Sequence, residues 1–384
     1  MIRSPILIAA LGILLVAPAF ASPPLSDAIL RDKPIEYQLT IDGRVTAYQS
    51  KFNADDQFDL NLENAPLVFP IIPNGAYHTI DLERLKSKLE LDDVEVDSKF
   101  EILPTSQADG RLARFNIPTF KGDQVEFSLE ELVTCYNAKV DEARLRAIGW
   151  PETWPPEVST ELQPQRYVES SNEQIVKLME AWTRGKAKSV PPFLLGKELV
   201  RQTVQNFQIS GKNWFNDDLN QFAGIEVQGA LKSVELMRGT SHDCVCLFVA
   251  VCRAAGLPAR PVIGIQMTDD DRGKDFKDDD RKMISWAEFY VPSAGWVAVD
   301  FRPLFKAPGR MRDIDRDWPG VGTNDELNLM VPISYHFHPP AGVRAEGRDG
   351  KPLLWGWQPL PVSVPCDQVL KWKIFKAPKR GGGG

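Results

Sequence analysis

The chain has 384 residues, a formal net charge of −7 and 43% apolar residues, enough for real cores and for two or more domains. The acidic balance excludes the basic footprint of a nucleic-acid binder and strong attraction to an anionic membrane. Ten Trp and thirty Pro favour turn-rich sheet over a helical bundle.

In chain order, "MIRSPILIAALGILLVAPAFA" carries one positive charge, an apolar run broken by Pro5 and Pro18, and the small residues Ala19 and Ala21 around Phe20. It reads as an export signal over 1–21, cleaved after Ala21. The apolar run is short for a membrane span, and a retained N-terminal anchor is the alternative. Cleavage removes Arg3 and takes the net charge from −7 to −8. The expected location is secreted or periplasmic, with no stable membrane span after cleavage.

Residues 22–160 read as a β-rich, sandwich-like domain. "IEYQLTI", "RVTAY", "FDLNL", "PLVFPII", "KFEIL", "ARFNI" and "QVEFSL" are short β-rich runs between turn residues. One helix is predicted at "TIDLERLKSKLE", and Pro-rich "GWPETWPPEV" reads as a linker.

Helical spacing dominates from about Tyr167, within a second region at 161–345. In "SSNEQIVKLMEAWTRG", Ser171 and Gln174 stand at capping-box spacing ahead of Ile175, Leu178, Met179 and Trp182. "PFLLGKELVRQTVQNF" puts Leu199, Val200, Thr203, Val204 and Phe207 on one helix face, and "VQGALKSVELMRG" predicts a third helix. "GTSHDCVCLFVAVCRAAGLPAR" follows, nearly all apolar or small from Asp243 to Ala255, the mark of a buried helix. Gly256 suits a left-handed cap there and Pro258 blocks continuation. "ARPVIGIQM", "ISWAEFYV" and "GWVAVDF" predict three strands, the last two joined by a tight "PSAG" turn. Residues 346–384 read as a strand extension ending in a flexible basic tail, "KAPKRGGGG".

Residues 269–280 hold seven aspartates interleaved with basic residues. Gly273 falls one position short of the EF-hand glycine and no glutamate closes the loop, so a solvated loop is the main reading and calcium the alternative. His336 and His338 alternate on one strand face and are too few alone for a metal site. Five cysteines include no two Cys-x-x-Cys pairs, so neither zinc nor any other cofactor is expected. Cys135 and Cys366 could pair, while Cys246 and Cys252 read as packing residues.

The stretch from Gly239 to Arg260 resembles the bacterial transglutaminase-like superfamily. That family reads Gly-x-Cys-x-Asp, three residues, Leu-Phe, then Arg-Ala-x-Gly-x-Pro-Ala-Arg. Here Gly239, Ser241, Asp243, Leu247, Phe248, Arg253, Ala254, Gly256, Pro258, Ala259 and Arg260 stand at those positions without a gap. The family continues His-Ala-Trp-x-Glu-x-Tyr and Gly-Trp-x-x-x-Asp. Here the residues are Ile284, Ser285, Trp286, Glu288 and Tyr290, then Gly295, Trp296 and Asp300. "QPQRYVES" and the β-rich N-terminal part also resemble the domain that accompanies such cores. The resemblance implies an α+β fold: a papain-like core of N-terminal helices packed on an antiparallel sheet, preceded by the β-rich domain.

It also implies a catalytic triad of which Ser241 and Ile284 replace two members and Asp300 keeps the third. A serine hydroxyl is far harder to ionise than a thiol at a helix N-terminus, and isoleucine accepts no proton. Cys244, one turn deeper than Ser241, is a candidate displaced nucleophile. His242 projects a quarter-turn or more from Ser241 and reads as a surface or capping histidine. With His242, Asp243 and Cys244, Trp286 would wall the cleft. Three functions stay open: an inactive module binding a protein or peptide, an active peptidase, amidase or acyl transferase using Cys244 or Ser241, and an envelope protein binding through its N-terminal domain.

Overall fold

The computed structural model describes residues 27–47, 59–63, 65–97, 100–104, 111–211, 215–216, 222–267, 283–335, 337, 345–346, 352–354 and 366–377. The leader at 1–21, the Asp-rich loop at 269–280, His336, His338 and the terminal tail lie outside the described residues. No described helix is long and apolar enough to cross a membrane.

The N-terminal region is built from strands β1 (Ile29–Ala47), β2 (Ala65–Ile71), β3 (His78–Ile80), β4 (Lys86–Leu91), β5 (Val94–Val96), β6 (Phe100–Pro104), β7 (Arg111–Ile117) and β8 (Gln124–Val140). β1, β8, β4 and β5 form one antiparallel sheet, with β3 beside β8 and a C-terminal strand outside β1; β2, β7 and β6 form another. β1 is a single long strand where two short ones were expected. Asp42-Gly43 looks like a turn, but the Phe127 ring lies over Gly43, so close that a Cβ there would sit 1.8 Å from it. The glycine therefore admits a cross-strand aromatic rather than reversing the chain.

The helix predicted at "TIDLERLKSKLE" does not form. Only a 3-10 turn at Leu82–Arg84 survives, and Lys86–Leu91 pairs with β8. The reason is the hairpin that follows: Asp92 and Asp93 both have positive φ, 47° and 63°, as a two-residue turn requires. Leu89 and Leu91 then alternate into the core.

The second half holds helices α1 (Glu173–Thr183), α2 (Pro192–Asn206), α3 (Ala230–Leu236) and α4 (Ser241–Ala254). α1 is capped by Asn172, whose side chain accepts from Gln174 N, rather than by Ser171. Strands β9 (Ala259–Gln266), β10 (Met283–Val291), β11 (Gly295–Val299) and β12 (Met330–Ser334) form an antiparallel sheet in the order β11-β10-β9-β12. Short helix α5 (Phe301–Lys306) follows β11, and β13 (Cys366–Lys376) returns to the outer edge of β1.

α4 is the centre of the core. From His242 to Arg253 every side chain is buried, and each large apolar one contributes roughly 1.5–3 kcal/mol. The helix ends as expected, with Gly256 at φ 78°. β10 lies against α4, with Phe289 of β10 also meeting Phe193 of α2 and Phe248 of α4 meeting Phe301.

Polar bonds join the two halves. Tyr37 Oη donates to Asn328 O (2.8 Å), Asn137 Nδ2 to Asp325 O (2.8 Å), Asn328 Nδ2 to Lys33 O (2.7 Å) and Tyr77 Oη to Trp296 O (2.5 Å). Cys135 and Cys366 do not pair. Their strands flank β1, where Cys135 faces Ile35 and Cys366 faces Ala47, about 40 Å apart along the strand at ~3.3 Å per residue. Cys135 is a free, buried thiol.

Candidate functional site

Most of the motif residues turn out to hold the fold. Thr240 caps α4, its hydroxyl accepting from Asp243 N, while Asp243 Oδ2 accepts from Thr240 N at 2.9 Å. Asp243 Oδ1 takes Gln228 N (2.7 Å) and Gly229 N (3.1 Å), tying the preceding loop to the helix. Burial pushes the Asp243 carboxyl up, and these hydrogen bonds oppose the shift. Asp243 is thus a structural brace at the mouth of α4.

Arg253 donates to Ala259 O (2.7 Å), Gln163 O (2.6 Å) and Glu161 (2.5 Å). Arg260 bonds Glu288 at 2.8 Å and is stacked between Trp296 and Tyr335, 3.9 and 3.7 Å from their ring centres. These charges are buried but paired, the condition under which burial is tolerated.

Ser241, at the expected nucleophile position, is the first residue of α4 and half-buried. Ile284 is buried on β10 opposite Gly264. The Trp286 ring lies over Gly264, where a Cβ would meet it at 2.8 Å and Val331 O at 2.3 Å. Asp300 is buried and caps α5, accepting from Arg302 N at 3.0 Å. Arg302 grips the same carboxylate twice, Nε to Oδ1 at 2.9 Å and Nη2 to Oδ2 at 2.7 Å. Both oxygens of Asp300 are therefore committed to a guanidinium.

His242 differs from expectation. It is fully buried, with Nδ1 2.9 Å from Ser285 Oγ and its ring edge-on to Phe337. The physical reason is that α4 is surrounded: position 242 faces β10, where an imidazole needs a polar partner. Ser285 and Arg302 were both overlooked in the sequence. Ser285 stands where the family pattern has alanine, opposite a helix carrying a histidine. Arg302 follows Asp300 at the spacing of an N-cap and its first-turn partner.

The thiols are not positioned for attack. Cys244, Cys246 and Cys252 are fully buried, and burial holds each well above the usual thiol range, with the Asp243 charge adding to the effect at Cys244 and Cys246. Cys244 is part of the core rather than of an open cleft. Among the described residues no group of three His, Cys, Asp or Glu side chains could hold a metal.

Residues 197–301 match the family model of the transglutaminase-like superfamily core, and the chain contains a domain of that superfamily. The fold is also similar to a "Putative Cysteine Protease" from Cytophaga hutchinsonii, with a TM-score of 0.51 and 14% identity, covering 92% of this chain and 94% of that one. The periplasmic domain of TgpA from Pseudomonas aeruginosa aligns with a TM-score of 0.31 and 15% identity over 73% of this chain and 91% of that one. No curated protein matches.

Proposed function

Taking the transglutaminase-like domain at 197–301 as the premise, we propose that this chain is an exported, catalytically silent relative of thiol acyl-transfer enzymes that uses its cleft to bind a peptide or protein. The observation that carries this reading is Arg302 on Asp300. In a working triad the aspartate orients an imidazole that takes the nucleophile's proton. Here both Asp300 oxygens face a guanidinium, which carries no lone pair to receive a proton, and position 284 is an alkyl group. Position 284 therefore offers no proton acceptor, and Asp300 has no imidazole there to orient.

Acylating probes test this. In the native protein iodoacetamide should leave Cys135, Cys244, Cys246 and Cys252 unmodified and a fluorophosphonate should leave Ser241 unlabelled, and peptide cleavage and amine incorporation should stay at background. Labelling of Ser241 or Cys244 in the folded protein would sink the reading. The double substitution Ser241→Cys with Ile284→His should create a thiol alkylated about tenfold faster than an ordinary one at neutral pH. Adding Arg302→Ala, which releases Asp300, should raise that rate again.

One observation favours a second reading. The His242–Ser285 contact places a hydroxyl within reach of an imidazole, the geometry of an activated serine. An acyl-transfer enzyme built on that pair would be labelled by fluorophosphonate at Ser285, and mapping the labelled peptide separates the two readings.

A further inference from the structure

The outer face of the large N-terminal sheet carries a hollow of about 440 Å³, outside the transglutaminase-like domain. It spans β1, β8 and β4. The strand register sets two rows straight across them, Asp42–Ser128–Lys88 and Arg44–Glu126–Glu90. Their neighbours along the strands, Ile41, Val45, Val125, Phe127 and Leu89, are buried, so alternation turns both rows outward. Cβ atoms paired across adjacent strands lie about 4.5–5.5 Å apart, and the two rows border one space. Ser128 is the short member of its row, and the hollow opens over it between longer side chains. Lys373 of β13 closes the side beyond β1.

Each charge on the wall has an opposite charge beside it. Lys373 Nζ lies 2.6 Å from Asp42 Oδ2, Lys88 Nζ 2.8 Å from Glu90 Oε1, and Arg44 Nη1 3.8 Å from Glu126 Oε1. The three acids and three bases cancel, so the wall attracts neither an anion nor a cation by net charge. These side chains are 25% to 52% exposed, which puts their polar ends within reach of a solute. Exposed pairs of this kind are worth about 0–1 kcal/mol each, so a ligand group inserts between partners at little cost. A charged ligand satisfies one partner of a pair and repels the other. A neutral hydroxyl donates to the carboxylate and accepts from the ammonium or guanidinium at once. An apolar ligand finds no side chain to cover, because Phe127 is turned into the core. The volume falls in the range of small-molecule sites, about 300–1,000 Å³.

We propose that this hollow binds a neutral oligosaccharide, seated over Ser128 with its hydroxyls bridging the Lys88–Glu90 and Arg44–Glu126 pairs. The mixture of donors and acceptors at the wall matches a polyol, whose every hydroxyl is both. The site lies apart from Ser241, Ile284 and Asp300, so it stands independently of the silent-enzyme reading and gives the β-rich N-terminal region a binding role of its own.

The test is calorimetric titration of the full chain with three neutral trisaccharides, cellotriose, maltotriose and triacetylchitotriose, and with two charged ones, trigalacturonate and the glucosamine trimer. At least one neutral sugar should bind with a dissociation constant of about 1 mM or below, at least about tenfold tighter than either charged sugar. Because the ligand carries no charge, its affinity should change less than about twofold when NaCl is raised to about 1 M. Ser128→Trp fills the hollow from the solvent face and should remove binding without lowering the thermal midpoint. Glu126→Ala and Arg44→Ala, which shorten wall residues at exposed positions, should each weaken it about threefold or more and serve as the readout if the tryptophan variant fails to fold. No heat from any neutral sugar up to about 10 mM overturns the proposal. So does tighter binding of a charged sugar, or unchanged affinity in the folded variants. None of these outcomes bears on labelling at Ser241 or Ser285, which tests the silent-enzyme reading separately.

Discussion

His242 Nδ1 sits 2.9 Å from Ser285 Oγ, and this contact ties the mouth of the central helix to strand β10 beside Ile284. The histidine is fully buried and the serine nearly so, which makes the pair a structural lock whatever its chemistry. Ser285→Ala, the residue of the family pattern, strands a buried ring nitrogen and should cost about 1–3 kcal/mol in chemical denaturation. A simultaneous His242→Gln should recover part of that loss, because the amide rearranges toward backbone partners; additive losses would show that the two residues do not act as a unit.

The thiols should be inert in the folded protein. Cys135, Cys244, Cys246 and Cys252 are buried with no access to solvent. Iodoacetamide at pH 8 should modify none of them natively and all four in guanidinium chloride, as read by peptide mass mapping. Fast native modification of Cys244 would return it to the list of nucleophiles.

Glu131 should make the protein sensitive to alkali. It points into the core of the large sheet opposite Leu39, its Oε1 has no partner, and burial pushes its carboxyl up from 4.5 to about 8. The folded state therefore holds the proton more tightly than the unfolded chain. The penalty is absent below about pH 4.5, grows up to about pH 8 and is complete above it, on the order of a few kcal/mol. Glu131→Gln should flatten this slope, so urea midpoints of variant and parent should diverge between pH 5 and pH 8 and hold a constant gap above it. Parallel profiles would show that the carboxylate finds a partner.

His78 works from the acid side. Burial, joined by the charges of Arg260 and Arg31, lowers it from 6.5 to about 3, and its Nε2 lies 3.0 Å from Ile72 O. The unfolded chain takes up the proton first, so stability is whole above pH 6.5 and is lost as the pH falls toward 3. His78→Asn should lower stability at pH 7 yet show a shallower acid limb, measured by thermal unfolding between pH 7 and pH 4.

How much of this was legible differs residue by residue. The punctuation of α4, from Gly239 through Leu247-Phe248 to Gly256 and Pro258, was readable because capping and termination are local and each depends on one or two side chains. The same local logic failed at Lys86–Leu91, where helix-like spacing lost to a hairpin turn and to pairing with a strand some 40 residues away. It failed again at Gly43, whose neighbour across the sheet is invisible in a linear reading.

The sequence by itself set the motif spacing by which Ser241, Ile284 and Asp300 align with the nucleophile, base and acid positions that the family resemblance implies. It determined that Ser241 and Ile284 cannot form a thiol–imidazole pair. Only the tertiary structure decided what the remaining groups do instead: that Arg302 closes on Asp300, that His242 turns inward to Ser285, and that burial holds the thiols of Cys244, Cys246 and Cys252 well above the usual thiol range. Those outcomes depend on burial and on partners from different strands and helices, and desolvation has no counterpart in the order of residues along the chain.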